Sequence, residues 1–506
     1  MKYYNANVYD KTDRLVKNTV IDVSDDGIIK SIESGVSYSP EDDDFDCEGN
    51  VVFPAFMDCT VTLPGKECFS LFGLDISELY TVDQYLYEIS YADRERGIRG
   101  YGFNTFVLGE KGTQRIKKLL DGLCKDKPAY IYADDMTTVI VNEYILEEAK
   151  KYMQVSREVH SDGLLDAHQI SILKKYTDIF DFTVDEMKLS LLSFQGRMML
   201  HGVCAIRVID FLGEKSVIEA LKELDDSGQW YLRTIVTVPL YPFDTVDEMY
   251  DRFLSYKVLD SDNIYVTGVS ITLDGSIDSG QAALIEPYSI DNSWKGDIIW
   301  NVDKLDGVVN QFLEDGIDVN FNAFGDRAVS FAVDLVRKDK RKGNVYITHA
   351  YLVSDIDVYA SRDKNITFCI EPNSVPYNGS FYEGDEIMLG ERIYSEYPVG
   401  RLLYAGLNVV SGSNNPVQLE VSPINGVYKA SHRTSDDDAT PYHLLKTYGE
   451  NAYKSFGLCN DIGNLEVGKK ATFCMLTKDI INMREDLLCD CKCVATVIDG
   501  RLLRVR

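Results

Sequence analysis

At 506 residues, with 52 Lys and Arg against 81 Asp and Glu and a formal net charge of −29, the chain is long enough for two or three domains. It is too acidic to be drawn to nucleic-acid phosphate or to anionic membrane surfaces. No apolar run approaches the roughly 20 residues that span a bilayer, and Met1-Lys-Tyr-Tyr-Asn-Ala-Asn lacks the apolar core of a secretory signal, so a cytoplasmic protein is expected.

Residues 1–50 alternate apolar and polar side chains in short runs, with turn signals at Asp25-Asp26-Gly27 and Glu48-Gly49-Asn50, which predicts a small antiparallel sheet. Residues 51–66 form an apolar strand and its exit. From 67 to 195 comes a mainly helical insertion, with amphipathic stretches such as 143–152 and a Ser161–Ala167 segment. Residues 196–455 then alternate β-branched runs with helical stretches, the pattern of parallel strands with crossover helices. The runs are 202–209, 230–238, 266–273, 318–322, 345–349, 366–370 and 407–411. With 51–62 they make eight, the number in a (β/α)8 barrel, whose chemistry sits at the C-terminal strand ends. The tail, 456–506, is again strand-rich, so the two termini are expected to share one composite β-sandwich.

The eleven cysteines, an odd number, point to reduced thiols and not to a disulfide framework. Cys489-x-Cys491-x-Cys493 has the period of one face of a buried strand and lacks the paired knuckles of a structural zinc site. The acidic runs 41–44 and 435–438 read as solvated loops.

Several segments carry a family pattern. Val51-Val-Phe-Pro-Ala-Phe-Met-Asp-Cys-Thr-Val-Thr62 is similar to an opening strand that ends Asp-x-His-x-His. Gly268–Ser276 resembles Gly-Val-Lys-…-Asp-Gly-Ser, and Phe321-Asn-Ala-Phe-Gly-Asp-Arg-Ala328 resembles His-Ala-Ile-Gly-Asp-Arg-Ala. Thr348-His-Ala350, Ile370-Glu-Pro372, Gly412-Ser-Asn-Asn-Pro-Val417 and Gly463-Asn-Leu-Glu-Val-Gly-Lys469 follow in the same order. Together they resemble the amidohydrolase superfamily, in its YtcJ-like branch (amidohydrolase family 3), over essentially the whole chain. Relatives of this kind hydrolyse non-peptide carbon–nitrogen bonds with one or two divalent metals at the strand ends. The resemblance therefore also implies the barrel, the composite β-domain and a homodimer.

Carried across by that resemblance, the metal-holding positions are Thr60, Thr62, Ser270, Asn322, His349 and Asn414. Neutral hydroxyls and amides are poor zinc ligands, and a catalytic zinc needs about three His, Cys, Asp or Glu donors. Asn414 also lacks the basic atom with which an aspartate there would take a proton from water. No metal cofactor is therefore expected. A register shift would bring Asp58, Cys59, Asp274 or Glu371 into play, but Pro54, Gly275, Gly325-Asp326-Arg327 and Pro416-Val417 fix the register on both sides. The other histidines, 160, 168, 201, 432 and 443, read as surface or packing residues.

Three readings follow. In the first, Thr60, Thr62, Ser270, Asn322, His349 and Asn414 form a polar floor in a pocket that binds a small molecule or a partner such as an active homologue, with tyrosines such as Tyr377 at its mouth. In the second, His349 acts as acid or base with Glu371 or Asp274 in metal-free chemistry. In the third, the protein is a hydrolase with an unconventional metal site.

Overall fold

The computed structural model describes residues 1–10, 12–153, 163–337, 340–418, 420–434, 437 and 439–505. His160 and most of the acidic run 435–438 lie outside the described residues.

The middle of the chain builds an eight-stranded parallel sheet in sequential order: β1 (Phe56–Leu63), β2 (Val203–Phe211), β3 (Arg233–Pro239), β4 (Ile264–Thr272), β5 (Asp318–Ala323), β6 (Val345–His349), β7 (Thr367–Ile370) and β8 (Asn408–Ser411). These strands are buried along nearly their whole length, as expected of parallel strands covered on both faces, which is why each reads as an almost unbroken apolar run. The ring closes where Thr62 N donates to Asn415 O at 2.9 Å, just beyond β8. All eight expected strands are present, but the first, expected over 51–62, is split: Val51–Pro54 pairs with Phe473–Leu476 in the terminal sheet and only Phe56–Leu63 enters the barrel. The third starts later than expected, because Trp230 lies before it, with Nε1 donating to Thr234 Oγ1 at 2.9 Å.

Helices between strands start on capping boxes that can be read in the sequence. Thr183 with Glu186 opens Val184–Leu200, and Thr245 with Glu248 opens Val246–Tyr256. Each pair satisfies amide groups that the first turn would otherwise leave open.

Both termini enter one eight-stranded sheet. Its path runs Arg501–Val505, Cys493–Ile498, Phe473–Leu476, Val51–Pro54, Lys2–Tyr9, Leu15–Val23 and Ile29–Ser34, with Phe45–Asp46 beside Lys2–Tyr9. Hydrogen bonds from Gly468 N to Ile29 O and from Ala471 N to Gly27 O curl the sheet back on itself around Tyr3, Ile21, Val52 and Phe473. The Cys489–Cys493 run is not one strand face. Cys489 is exposed in a 3-10 turn, Cys491 follows it, and only Cys493 belongs to a strand.

The insertion is helical over most of its length, but its helices pack on a five-stranded sheet that the sequence reading did not place, in the order Leu164–Leu165, Val139–Val141, Ala129–Ala133, Ile98–Phe103, Leu74–Asp75. It docks on the barrel mouth. Tyr101 Oη donates to Pro416 O at 2.8 Å, and Gln281 Nε2 donates to Thr138 Oγ1 at 3.1 Å.

Candidate functional site

Two hydrogen-bonded groups line the C-terminal ends of the barrel strands. The first centres on His349, the last residue of β6, where His349 and Ala350 both take positive φ, at 73° and 49°. Such angles cost energy for residues with a side chain and are held only by the surrounding structure. The His349 ring stacks on Phe324, with centroids 4.0 Å apart and planes 12° apart.

His349 Nδ1 lies 2.8 Å from Glu371 Oε1. The approach is off the line of a ring N–H, so it is an electrostatic contact and not a formed hydrogen bond. Tyr351 Oη donates to Glu371 Oε2 at 2.9 Å and accepts from Asn414 Nδ2 at 3.1 Å. Asn414, also at positive φ (59°), donates its backbone N–H to Thr60 Oγ1 at 3.0 Å. His349, Glu371, Tyr351, Asn414 and Thr60 thus form one chain of contacts across β6, β7, β8 and β1.

The second group fills the barrel interior. Arg207 Nη1 reaches Thr348 Oγ1 at 3.4 Å, and Thr348 Oγ1 donates to Asn320 Oδ1 at 2.6 Å. Asn320 Nδ2 donates to Asn322 Oδ1 at 2.8 Å and to Ser270 Oγ at 3.2 Å. Asn322 Nδ2 donates in turn to Ser270 Oγ at 3.2 Å and Thr272 Oγ1 at 3.1 Å. Positions two apart on a strand face the same way, so Asn320 and Asn322, and likewise Ser270 and Thr272, form rungs of one polar ladder.

Two carboxylates hold loops. Asp274 accepts from the backbone N–H groups of Ala283 (2.8 Å), Phe324 (2.9 Å) and Gly325 (3.0 Å). Burial still pushes its carboxyl up to about 7. Asp58 Oδ1 accepts from Ser413 N at 2.8 Å and Thr60 N at 3.2 Å, and burial raises it to about 6. Gly412 is required between them, since a Cβ there would lie 2.0 Å from Thr60 Oγ1 and 2.8 Å from Asp58 Oδ1.

Above these groups, between barrel mouth and insertion, lies a cavity of about 510 Å³. Of the residues expected to form its floor, Thr62, Asn322, His349 and Asn414 line it. Thr60 and Ser270 are buried beneath, tied into the two networks. Glu371 is buried behind His349, and Asp274 is committed to three amides, so neither reaches the cavity. The expected mouth residue Tyr377 packs on Tyr428 instead, and the tyrosines in the wall include Tyr80, Tyr241, Tyr351 and Tyr382. His168, His201, His432 and His443 do not line this cavity, although Ala167, Ile170 and Ser171 on the helix that carries His168 do.

Sequence reasoning missed Phe324 and Tyr351, which flank the Gly325-Asp326-Arg327 and His349 motifs, and Arg207, visible as a lone cation in the apolar run of β2. It also missed the acidic wall: Asp134 and Asp135 from the insertion, Asp278 from the loop after β4, and Asp385 from helix Glu383–Leu389.

Among the described residues, no three His, Cys, Asp or Glu side chains gather as a set that could hold a metal ion. At the strand ends the donors facing the cavity are hydroxyls, amides, one imidazole and, on β2, the Asp210 carboxylate, which lies beside Lys174; two ionisable donors that gather no third are poorly matched to zinc.

A family model described as "Amidohydrolase family" matches residues 45–504. The Bacillus subtilis (strain 168) protein named "Putative amidohydrolase YtcJ" is 23% identical over 522 residues, covering 95% of this chain and 94% of that one. Among solved structures, an uncharacterized metal-dependent hydrolase from Pyrococcus horikoshii OT3 superposes with a TM-score of 0.73 at 20% identity, over 96% of this chain and 99% of that one. Its counterpart from Pyrococcus furiosus gives 0.70 at 18% identity, over 95% and 99%.

Proposed function

Since the chain belongs to the amidohydrolase family, we propose that it retains the family's barrel as a small-molecule-binding scaffold and has given up the divalent metal on which the family's hydrolysis depends. One observation carries this reading. The side chains at the metal-holding positions other than His349 are neutral, and Thr60, Ser270, Asn322 and Asn414 are hydrogen-bonded to their neighbours. A metal would have to break those bonds and accept hydroxyl and amide oxygens in exchange, a poor trade against carboxylate and imidazole ligands.

The test is metal analysis of purified protein after dialysis. Far less than one equivalent of zinc, manganese or iron is expected. Near-stoichiometric metal that survives dialysis would instead support a hydrolase with an unconventional metal site.

A second reading is favoured by the His349–Glu371 contact of 2.8 Å. With Nδ1 buried against Glu371, Nε2 is the ring nitrogen left to the cavity, and an imidazole oriented by a carboxylate is a competent proton-transfer group. Asp274 is less suited, because its charge is spent on three amides. If metabolite screening finds a chelator-insensitive turnover, His349→Ala and Glu371→Gln should abolish it, whereas unchanged rates would remove the assignment.

A further inference from the structure

Resting on that reading of the cavity as a small-molecule site, we propose that its ligand is an organic cation, an ammonium or guanidinium on an apolar or aromatic body, with the positive group seated among Asp135, Asp278 and Asp385. Three segments far apart in sequence bring these carboxylates to one wall: the turn after Ala129–Ala133, the loop after β4, and helix Glu383–Leu389. The cation nearest in the lining, Lys174, is placed elsewhere, 3.7 Å from Asp210 Oδ2.

Asp135 accepts from Thr137 N at 2.9 Å and Thr137 Oγ1 at 2.5 Å, and Asp278 from Ser279 N at 2.9 Å, but the hydroxyl between the two carboxylates serves both. Ser276 Oγ lies 2.7 Å from Asp135 Oδ2, 2.6 Å from Asp278 Oδ1 and 2.7 Å from Ser279 Oγ. A hydroxyl has one hydrogen, so with both carboxylates ionised it can donate to only one and must turn a lone pair toward the other. A proton or a bound cation resolves that conflict.

An independent observation points the same way. Glu396, 1% exposed, has no hydrogen-bond partner on either carboxylate oxygen. It stands behind the lining, where Asp385 and Asp278 are the leading charges acting on it. The nearby Arg433 directs its guanidinium to the Glu396 and Tyr397 carbonyls and to Asp437. Burial first, then the neighbouring Asp385 and Asp278, push the Glu396 carboxyl well up toward its neutral form, against the pull of Arg433, and positive charge entering the cavity is the other way to relieve the crowding.

The organic character follows from what adjoins the acids. A Cβ on Gly384 would lie 3.0 Å from Asp278 Cβ and 4.0 Å from Phe106 Cβ, so Asp278 and Phe106 both border Gly384 in the cavity lining. Phe106 and Tyr80 are 42% and 76% exposed there. Aromatic faces next to carboxylates suit a desolvated organic cation, whereas a divalent ion prefers a close cage of oxygens.

The experiment is calorimetric titration of the full chain at neutral pH with three isosteres: phenethylammonium, 2-phenylethanol and 3-phenylpropionate. The cation should bind at least tenfold more tightly than the alcohol, and the acid should be weakest. Asp278→Asn and, separately, Asp385→Asn should each lower affinity for the cation by roughly 10- to 100-fold, the range expected for losing a hydrogen bond to a charged group, and leave the alcohol within about twofold. Circular dichroism melts establish that both variants fold. Equal or tighter binding of alcohol or acid would overturn the cation while leaving the cavity a binding site. Binding of none of the three would overturn both readings. Magnesium or calcium chloride that displaces the ammonium, and whose own binding is lost in Asp278→Asn, would assign the wall to an inorganic cation and overturn the proposal.

Discussion

His349 Nδ1 and Glu371 Oε1 approach to 2.8 Å beneath the cavity floor, in a place where neither has another partner on those atoms. A buried contact of this kind is strongly coupled, because removing either side leaves the other exposed to an apolar environment. The variants His349→Asn and Glu371→Gln, made singly and together, should therefore be non-additive in urea denaturation by about 1–3 kcal/mol. Additivity within about 0.5 kcal/mol would show the contact to be incidental.

Reinstating the family's two histidines on β1 should fail unequally. Thr62 lines the cavity and has room for an imidazole, so Thr62→His should change stability by less than about 0.5 kcal/mol. Thr60 is fully buried against Gly412, and Thr60→His should cost about 1–3 kcal/mol by overpacking. Equal tolerance at both positions, read from denaturation midpoints, would contradict this packing and weaken the case for a lost metal site.

Gly412 gives a sharper version of the same test. Its missing Cβ leaves space for Thr60 and Asp58, and the following amides of Ser413 and Asn414 bond to those two side chains. Gly412→Ala should push the segment away and break both bonds, lowering stability by about 2 kcal/mol or more. A wild-type melting curve would sink this account.

The barrel was legible because parallel strands covered on both faces must be apolar throughout, and their β-branched runs stand out between helical stretches. The sheet of the insertion was not. Ile98-Arg-Gly-Tyr-Gly-Phe103 carries two glycines, which weaken a strand signal, and Leu74–Asp75 and Leu164–Leu165 are only two residues long. The motif positions Thr62, Asn322, His349 and Asn414 were found at the cavity, because each lies at or just beyond the C-terminal end of a barrel strand.

What sequence could not show is how distant segments share one carboxylate or one wall. Asp274 reads as a candidate base until its partners at Ala283, Phe324 and Gly325 are seen. Asp134 and Asp278 belong to two loops and Asp385 to helix Glu383–Leu389, with no common motif, and only their folded proximity reveals them.

That acidic wall makes stability depend on pH in a definite direction. Burial pushes Asp134 up to about 7, Asp278 to about 6 and Asp385 to about 8, with neighbouring carboxylates adding to each shift. Their ordinary value is 3.8, so between roughly pH 4 and 8 the folded state holds more protons than the unfolded chain, and raising pH through that window must destabilise the fold. The penalty is absent below the ordinary value and complete above the raised ones. Glu186 works in the opposite sense, since Arg99 holds it at about 2 despite burial, but its contribution is lost only in acid, below about pH 4. Thermal midpoints should therefore fall from pH 5 to pH 8, and Asp278→Asn should flatten the profile and exceed wild type at pH 8. Phenethylammonium should raise the wild-type midpoint more at pH 8 than at pH 5, because it replaces protons the wall would otherwise lose. A midpoint that rises with pH across this range, unaffected by Asp278→Asn, would show that these carboxylates do not carry the excess protons their burial demands.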